Sequence, residues 1–151
     1  KASLKTSFGE VTENFSVYGD WTHRHVPEVL AVSGLEESEF TFTAQLLPVH
    51  RGILETIFLR TKPILSTSQI LDLYRDRYKD EPFIRLLPTG QFPDLRAVQH
   101  TNLCAIGVKA DPATGRKIIV SAIDNLGKGA AGQAVKNMNL AFGFPETDGL
   151  L

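Results

Sequence analysis

The stretch QHTNLCAIGVKADPATGRKIIVSAID, residues 99–124, decides the fold of this chain. Two runs within it, Gln99–Lys109 and Lys117–Asp124, are rich in small and β-branched residues, which strands favour. The segment DPATG at 111–115 joins them, with proline and glycine where a tight turn needs them. The sequence therefore predicts a pair of strands joined by a tight turn.

Further strands and helices are predicted on either side of this pair. The alternation over Phe40–Leu47 and the β-branched and aromatic run Ile53–Arg60 predict two strands. Ser66, with Gln69 three residues later, begins a helix with a capping box. The other predicted elements are extended structure over Lys1–Tyr18, a helix over Pro27–Val32 ended by Gly34, a short strand over Phe83–Leu87 and a helix over Gly129–Phe142 ended by Gly143. This order indicates an α+β fold, a mostly antiparallel mixed sheet flanked by helices.

The composition excludes several classes of protein. Sixteen Lys and Arg against seventeen Asp and Glu give a net charge of -1, so the basic excess that nucleic-acid binding needs is absent. No apolar run approaches the roughly 20 residues that span a bilayer, and one cysteine cannot form an internal disulfide. We therefore expect a cytoplasmic protein without nucleic-acid or membrane partners. A length of 151 residues suits one domain, and the missing initiator Met indicates a fragment or a processed product.

The segment His23-Arg24-His25, with Glu28 close by, is the densest cluster of functional side chains. An imidazole shuttles protons near neutral pH, and an Arg at the start of a helix can bind an anion. Glu28 is placed to orient one of the imidazoles. We predict no metal site, because His at i and i+2 share a face only in a strand and no third ligand is visible. On spacing alone, a solvated loop is the alternative.

A second candidate is the glycine-rich segment DNLGKGAAGQ at 124–133, a turn that leads into a helix. Backbone N–H groups at a helix start have no intrahelical partner and can meet a ligand. The spacing fits neither a Walker loop nor a dinucleotide fingerprint. Two interpretations stay open: close packing of the helix against another element, or backbone contact with a ligand.

Two further positions carry less signal. Cys104 shares a strand face with Ile106 and Val108, which is typical of a small core residue, and no neighbour in sequence would lower the pKa of its thiol. His50 and Arg51 link two predicted strands, where either an anionic ligand or a solvated turn is compatible with them.

Three motifs resemble those of the N-acetyl-gamma-glutamyl-phosphate reductases. HRHVPE at 23–28, preceded by Tyr18, is similar to the family's His-Arg-His-x-Pro-Glu motif. LPVHRGI at 47–53 is similar to its Leu-Val-Pro-x-x-Arg-Gly-Ile segment, with His50 as a departure. SAIDNL at 121–126, KGAAGQAV at 128–135 and NMNL at 137–140 resemble its C-terminal signature almost letter for letter.

The resemblance implies the C-terminal domain of the glyceraldehyde-phosphate and aspartate-semialdehyde dehydrogenase type. Residues 1–151 would then be the substrate-binding, catalytic and dimerisation domain of a larger, homo-oligomeric enzyme. The implied reaction is the NADP-dependent reduction of N-acetyl-gamma-glutamyl phosphate to the semialdehyde in arginine biosynthesis, by way of a Cys thioester. The family's nucleophile and glycine fingerprint lie upstream and are absent here. We therefore expect this chain alone to be inactive, with NADP bound mainly by the other domain.

The resemblance also assigns roles to individual residues. His23 matches the catalytic acid and base. The substrate-binding positions match Tyr18, Arg24, His25 and Glu28, and the positions beside the nicotinamide match Asn125, Lys128, Gly129 and Gly132. Two alternatives stay open: a non-catalytic dimerisation module descended from the same family, or a reductase of another acyl phosphate such as aspartyl phosphate.

Overall fold

The computed structural model describes residues 7–19 and 22–151. They divide into two compact units, 1–50 and 51–151, which are described separately, and the single domain over 1–151 stays a prediction. The helices are α1 (Phe8–Val11), α2 (Val26–Ser33), α3 (Thr67–Tyr78) and α4 (Gly132–Phe142), with a 3-10 turn at Glu37–Glu39 and a π-helical turn at Gly127–Ala131. The strands are β1 (Ser16–Tyr18), β2 (Ala44–Leu46), β3 (Ile53–Arg60), β4 (Ile84–Leu86), β5 (Cys104–Ala110) and β6 (Arg116–Ile123).

The first unit holds a two-stranded antiparallel sheet, β1 with β2, in which Tyr18 lies opposite Ala44. Helix α2 begins directly after the His23 segment, with Pro27 in its first turn, where the missing N–H of proline breaks no hydrogen bond. It ends at Gly34, whose backbone is left-handed (φ 69) and whose N–H donates to Leu30. The predicted helix and its stop are both confirmed.

The second unit is built on a four-stranded sheet in the order β3-β6-β5-β4. Two of the neighbouring pairs, β3 with β6 and β6 with β5, are antiparallel, and at one edge β4 runs parallel to β5. The predicted strand pair, β5 and β6, is joined by the turn at 111–115, in which the Asp111 carboxylate accepts from the N–H of Ala113. The mostly antiparallel mixed sheet of an α+β fold is confirmed.

The core of the second unit lies on both faces of β5. On one face Ile106 and Val108 pack against Ile70 and Leu71 of α3, the apolar side of a helix that begins with the predicted Ser66 capping box. On the other face Ala105 and Ala122 pack against Val98. No helix within the described part of the chain is long and apolar enough to cross a membrane.

Three sequence predictions of strand are wrong in extent. The described part of Lys1–Tyr18 contains the short helix α1 before β1, and the strand predicted over Phe40–Leu47 is confined to Ala44–Leu46. The strand predicted from Gln99 begins only at Cys104. The reason is visible at His100, whose left-handed backbone (φ 62) is incompatible with a strand.

Candidate functional site

His23 lies at the centre of an aromatic cluster in the first unit. Its ring centroid is 5.6 Å from that of Tyr18, 4.8 Å from that of His25 and 5.1 Å from that of Phe42. Strand β1 supplies Tyr18, the turn before α2 supplies both histidines, and the chain entering β2 supplies Phe42. Gly19 packs against the His23 ring. Its backbone is left-handed (φ 61), and a Cβ there would lie only 3.2 Å from Cδ2 of His23.

The orientation of the His23 imidazole is set by the backbone. The N–H of His25 donates to Nδ1 of His23 at 3.3 Å, so the neutral ring carries its proton on Nε2. His23 is half-buried and His25 is exposed. The arrangement leaves Nε2 as the nitrogen that can exchange a proton with a group from outside the cluster.

The other predicted residues of this segment lie at its surface. Tyr18 is 50% exposed, and Arg24 and Glu28 are also exposed. Neither Arg24 nor Glu28 forms a salt bridge among the residues that the structure describes. The structure thus brings His23, His25 and Tyr18 together, and it orients the His23 ring through a backbone N–H instead of through Glu28.

In the second unit, the glycine-rich segment begins at a fully buried carboxylate, Asp124. Arg51 contacts it through two nitrogens, with Nε 2.7 Å from Oδ2 and Nη2 2.9 Å from Oδ1. The backbone N–H of His100 donates to Oδ2 at 2.6 Å, and those of Leu126 and Gly127 donate to Oδ1 at 2.9 Å. Burial raises the pKa of the Asp124 carboxyl, but these hydrogen bonds outweigh it and hold the pKa well below its ordinary value.

The start of the final helix packs closely against the turn before β5. A Cβ on Gly132 would clash with Oδ1 of the buried Asn102 and lie 3.0 Å from the carbonyl oxygen of Gly127. At Gly129 the nearest atom, Cδ1 of Ile123, would lie at an ordinary 3.4 Å. Close packing therefore requires glycine at 132, whereas 129 has space for a side chain.

Asn102 is the unusual residue of this region. It is 5% exposed, and neither atom of its side-chain amide has a hydrogen-bond partner in the described chain. Together with Arg51, His100, Gly127 and Gly132 it lines a cleft of about 200 Å³. Buried amides are normally hydrogen-bonded, so this amide is available to a group that enters the cleft.

Lys128 points along the helix, away from the turn. Its Nζ donates to Oε1 of Gln133 at 2.9 Å and lies 5.6 Å from the ring centroid of Phe83. Burial and, second, the charge of Lys136 lower the pKa of Lys128. Burial raises the pKa of the Cys104 thiol, and the nearby Lys128 offsets this only in part. Cys104 packs against the Ile106 and Val108 cluster, as predicted for a small core residue.

Sequence reasoning missed three participants in these sites. The only sequence signal at Phe42 was its place in the alternating pattern of a predicted strand. For Arg51, a solvated turn was as compatible with the sequence as contact with an anionic ligand. Asn102 gave no signal, because its importance depends on the approach of Gly132 from a distant part of the chain. Asp124 stood within the glycine-rich segment, but nothing in its position showed that it would be buried.

The chain is similar to known proteins over nearly its whole length. Residues 1–125 match the sequence profile of the semialdehyde dehydrogenase dimerisation domain. The chain is 49% identical to the N-acetyl-gamma-glutamyl-phosphate reductase of Desulforudis audaxviator, over 99% of this chain and 44% of that protein. It is 50% identical to the enzyme of the same name from Desulforapulum autotrophicum, over 98% and 44%. The chain thus spans less than half the length of the curated relatives it matches.

The fold is shared with a solved structure. Aspartate semialdehyde dehydrogenase II from Vibrio cholerae superposes with a TM-score of 0.55 at 24% identity, over 66% of this chain and 30% of that one. The same protein complexed with ASA gives a TM-score of 0.53. At this identity the likeness concerns the fold alone. The resemblance to the reductases that the three motifs indicated is confirmed, and with most of its length matched by the profile, the chain belongs to the semialdehyde dehydrogenase dimerisation domain family.

Proposed function

We propose that this chain is the C-terminal part of an NADP-dependent reductase acting in arginine biosynthesis. The enzyme would be a cytoplasmic homo-oligomer that reduces N-acetyl-gamma-glutamyl phosphate to N-acetyl-glutamate 5-semialdehyde. One observation carries the proposal: identity of 44–50% to proteins of that name extends over nearly the whole chain. The clustering of His23 with Tyr18 and His25 supports it.

His23 is the acid and base of the proposed reaction. His23 holds, as an imidazolium, the proton of a thiol from outside this chain. The thiolate sulfur bonds to the acyl carbon of the substrate, and the bond from that carbon to phosphate breaks. NADPH, when bound, supplies the hydride that reduces the thioester carbon. The Nε2 proton of His23 neutralises the resulting oxyanion, and the imidazole takes the hydroxyl proton back as the C–S bond breaks.

The surface around His23 suits an anionic substrate. Arg24 is exposed and forms no salt bridge in the described chain, so its guanidinium is free to bind a phosphate or carboxylate. The exposed Tyr18 and His25 offer further hydrogen bonds beside it, and Glu28 lies in the first turn of the following helix. We assign these four residues to substrate binding.

The described residues of the second unit suit the carboxamide of the nicotinamide better than they suit the phosphates of NADP. The unpartnered Asn102 amide suits a carboxamide group, and Gly129 is exposed at the start of the helix. Of the residues assigned to cofactor binding, Lys128 is held by Gln133 and Gly132 by packing against Asn102. The oxygen of Asn125 accepts the N–H of Gly52 at 2.6 Å. Binding of the NADP phosphates is therefore assigned mainly to residues outside this chain.

The test is phosphate-dependent NADP reduction with N-acetyl-glutamate 5-semialdehyde. It compares a complete reductase containing this chain with its His23→Asn variant, and with His50→Asn as a matched control at an exposed histidine. Because general acid–base catalysis contributes about 10²–10⁴-fold, we expect kcat to fall about 100-fold or more in His23→Asn and to stay unchanged in the control. This chain alone should show no activity.

Two results would contradict the proposal. An inactive complete protein that still forms a dimer would favour the non-catalytic module that the family description of a dimerisation domain allows. Activity on aspartate semialdehyde in place of the N-acetyl-glutamate compound would make the enzyme a reductase of another acyl phosphate.

A further inference from the structure

We propose that Arg51 and Asp124 form a positioning pair that holds the segment 124–129 in the geometry needed for cofactor binding. Neither residue would touch the reacting atoms. The kinetic part of this inference rests on the proposed function. The structural part, a loop ordered by the pair, is independent of it.

Asp124 binds the loop through both its side chain and its main chain. Its carboxylate accepts the N–H groups of Leu126 and Gly127, and its main-chain oxygen accepts the N–H of Gly129 at 2.9 Å. Three backbone donors of the turn, at 126, 127 and 129, are thus satisfied by one residue. Such orphan donors at a helix start determine where the first turn lies.

The backbone around Arg51, at the start of β3, also forms hydrogen bonds with the turn at 99–100 and with the loop. Its main-chain oxygen accepts Nε2 of Gln99 at 2.9 Å, and the next residue, Gly52, donates to Oδ1 of Asn125 at 2.6 Å. The ion pair therefore joins three segments of the chain: the start of β3, the turn at 99–100 and the loop at 124–129. Asn125, one of the residues assigned to the cofactor, is thus held by the backbone of the neighbouring strand connection.

The backbone of His100, which contacts both Arg51 and Asp124, is strained. Its φ of 62 is uncommon for a residue with a side chain, and its Nδ1 lies 3.0 Å from Nη1 of Arg51. The N–H of His100 donates to the same carboxylate at 2.6 Å. Strained backbone of this kind persists where the surroundings over-determine it, and it concentrates at functional sites.

A buried ion pair such as that of Arg51 and Asp124 is not needed to stabilise the fold. Apolar residues of the same volume stabilise a buried position as well as an ion pair does, or better. What an apolar pair cannot do is accept the N–H groups of the loop. The arrangement is therefore suited to fixing where the loop backbone lies, next to the cleft lined by Asn102 and Gly132.

The experiment uses three variants and two readouts. Asp124→Asn and Arg51→Gln each remove one charge of the pair, and Arg75→Gln removes an exposed ion pair with Asp72 of similar length, 2.7 Å, as the control. Hydrogen exchange of the amides of Leu126, Gly127 and Gly129 is measured on this chain. The KM for NADPH and kcat are measured on the complete reductase, well below its unfolding temperature.

In both pair variants we expect these amides to exchange about ten-fold faster or more. We also expect the KM for NADPH to rise about ten-fold or more, with the KM for the acyl phosphate nearly unchanged, because a small misplacement of a binding group costs this much. Arg51→Lys should restore part of the loss. The control should change none of these quantities.

The inference is overturned if the variants only lower the melting temperature while loop exchange and the KM for NADPH stay at wild-type values. If the unsubstituted complete protein shows no reductase activity, the proposed function fails. The exchange rates then decide the positioning role alone: unchanged rates would reject it, and faster rates confined to the loop would support it.

Discussion

Gly132 and Gly129 stand three residues apart in the same segment, but the structure gives them different tolerance for a side chain. A Cβ at 132 clashes with the buried amide of Asn102 and approaches a backbone oxygen, neither of which can move freely. A Cβ at 129 would lie at ordinary van der Waals distances, 3.4 Å from Cδ1 of Ile123 and 3.6 Å from the main-chain oxygen of Asp124. We therefore expect Gly132→Ala to lower the free energy of unfolding by about 1–3 kcal/mol, the range for overpacking.

Gly129→Ala is the matched control for this prediction. Its backbone φ is not in the left-handed region, so the substitution should leave the stability unchanged or raise it by a few tenths of a kcal/mol, since alanine restricts the unfolded chain. Urea unfolding of the two variants measures the difference. Equal midpoints for Gly132→Ala and Gly129→Ala would mean that the close approach to Asn102 is not formed.

At the same scale, the sequence located one candidate site better than the other. His23 and His25 lie two residues apart, so local spacing was enough to group them. Tyr18 was added to them only through the family resemblance. The bond between Arg51 and Asp124 joins residues 73 positions apart. It depends on the register of β3 with β6, in which Ile53 lies opposite Ile123. The pattern of residues within either strand does not predict that register.

Among the elements, α3 is the one whose start the sequence specified most directly. Oγ of Ser66 accepts the N–H of Gln69 at 3.3 Å, and Oε1 of Gln69 accepts the N–H of Ser66 at 2.9 Å. Ser66→Ala removes the first of these bonds and should lower the free energy of unfolding by about 1 kcal/mol. Thermal or urea unfolding of the variant measures it.

Ser68→Ala serves as the control for the cap. Ser68 is exposed, and in the described part of the chain its hydroxyl is hydrogen-bonded to that of Ser66 alone, at 3.0 Å. We expect a change of a few tenths of a kcal/mol at most. A loss in Ser68→Ala as large as that in Ser66→Ala would show that the hydroxyl pair, and not the capping box, stabilises the helix start.

The elements that sequence patterns missed share a physical cause. Alternation over Phe40–Leu47 predicted a longer strand, but only Ala44–Leu46 finds a partner, the short strand β1. The strand was predicted to begin at Gln99, yet the N–H of His100 is bound by Asp124 instead of by a neighbouring strand. Tertiary context overrode local propensity at both places, through a short partner strand at the first and a competing hydrogen bond at the second.

For the whole molecule, the surface that remains to be explained is β3. It is an edge strand, because among the residues that the structure describes it pairs with β6 alone. Ile53, Leu54 and Ile57 are 43–44% exposed and Phe58 is 74% exposed, so apolar side chains are exposed on both faces of the strand. Exposed edge strands of this composition are sites of association. Since the family is described as a dimerisation domain, we expect a second copy of this chain to cover β3.

Phe58→Asp tests this expectation without disturbing the core, because the side chain is largely exposed. We expect the dimer dissociation constant to rise about thirty-fold, which corresponds to ~2 kcal/mol for an aromatic residue at the centre of an interface. Leu73→Asp, at a residue of α3 that is 59% exposed, is the control and should leave the constant unchanged. Sedimentation velocity over a range of protein concentrations measures both. A chain that stays monomeric at every concentration, or one weakened equally by both substitutions, would rule out β3 as the contact surface.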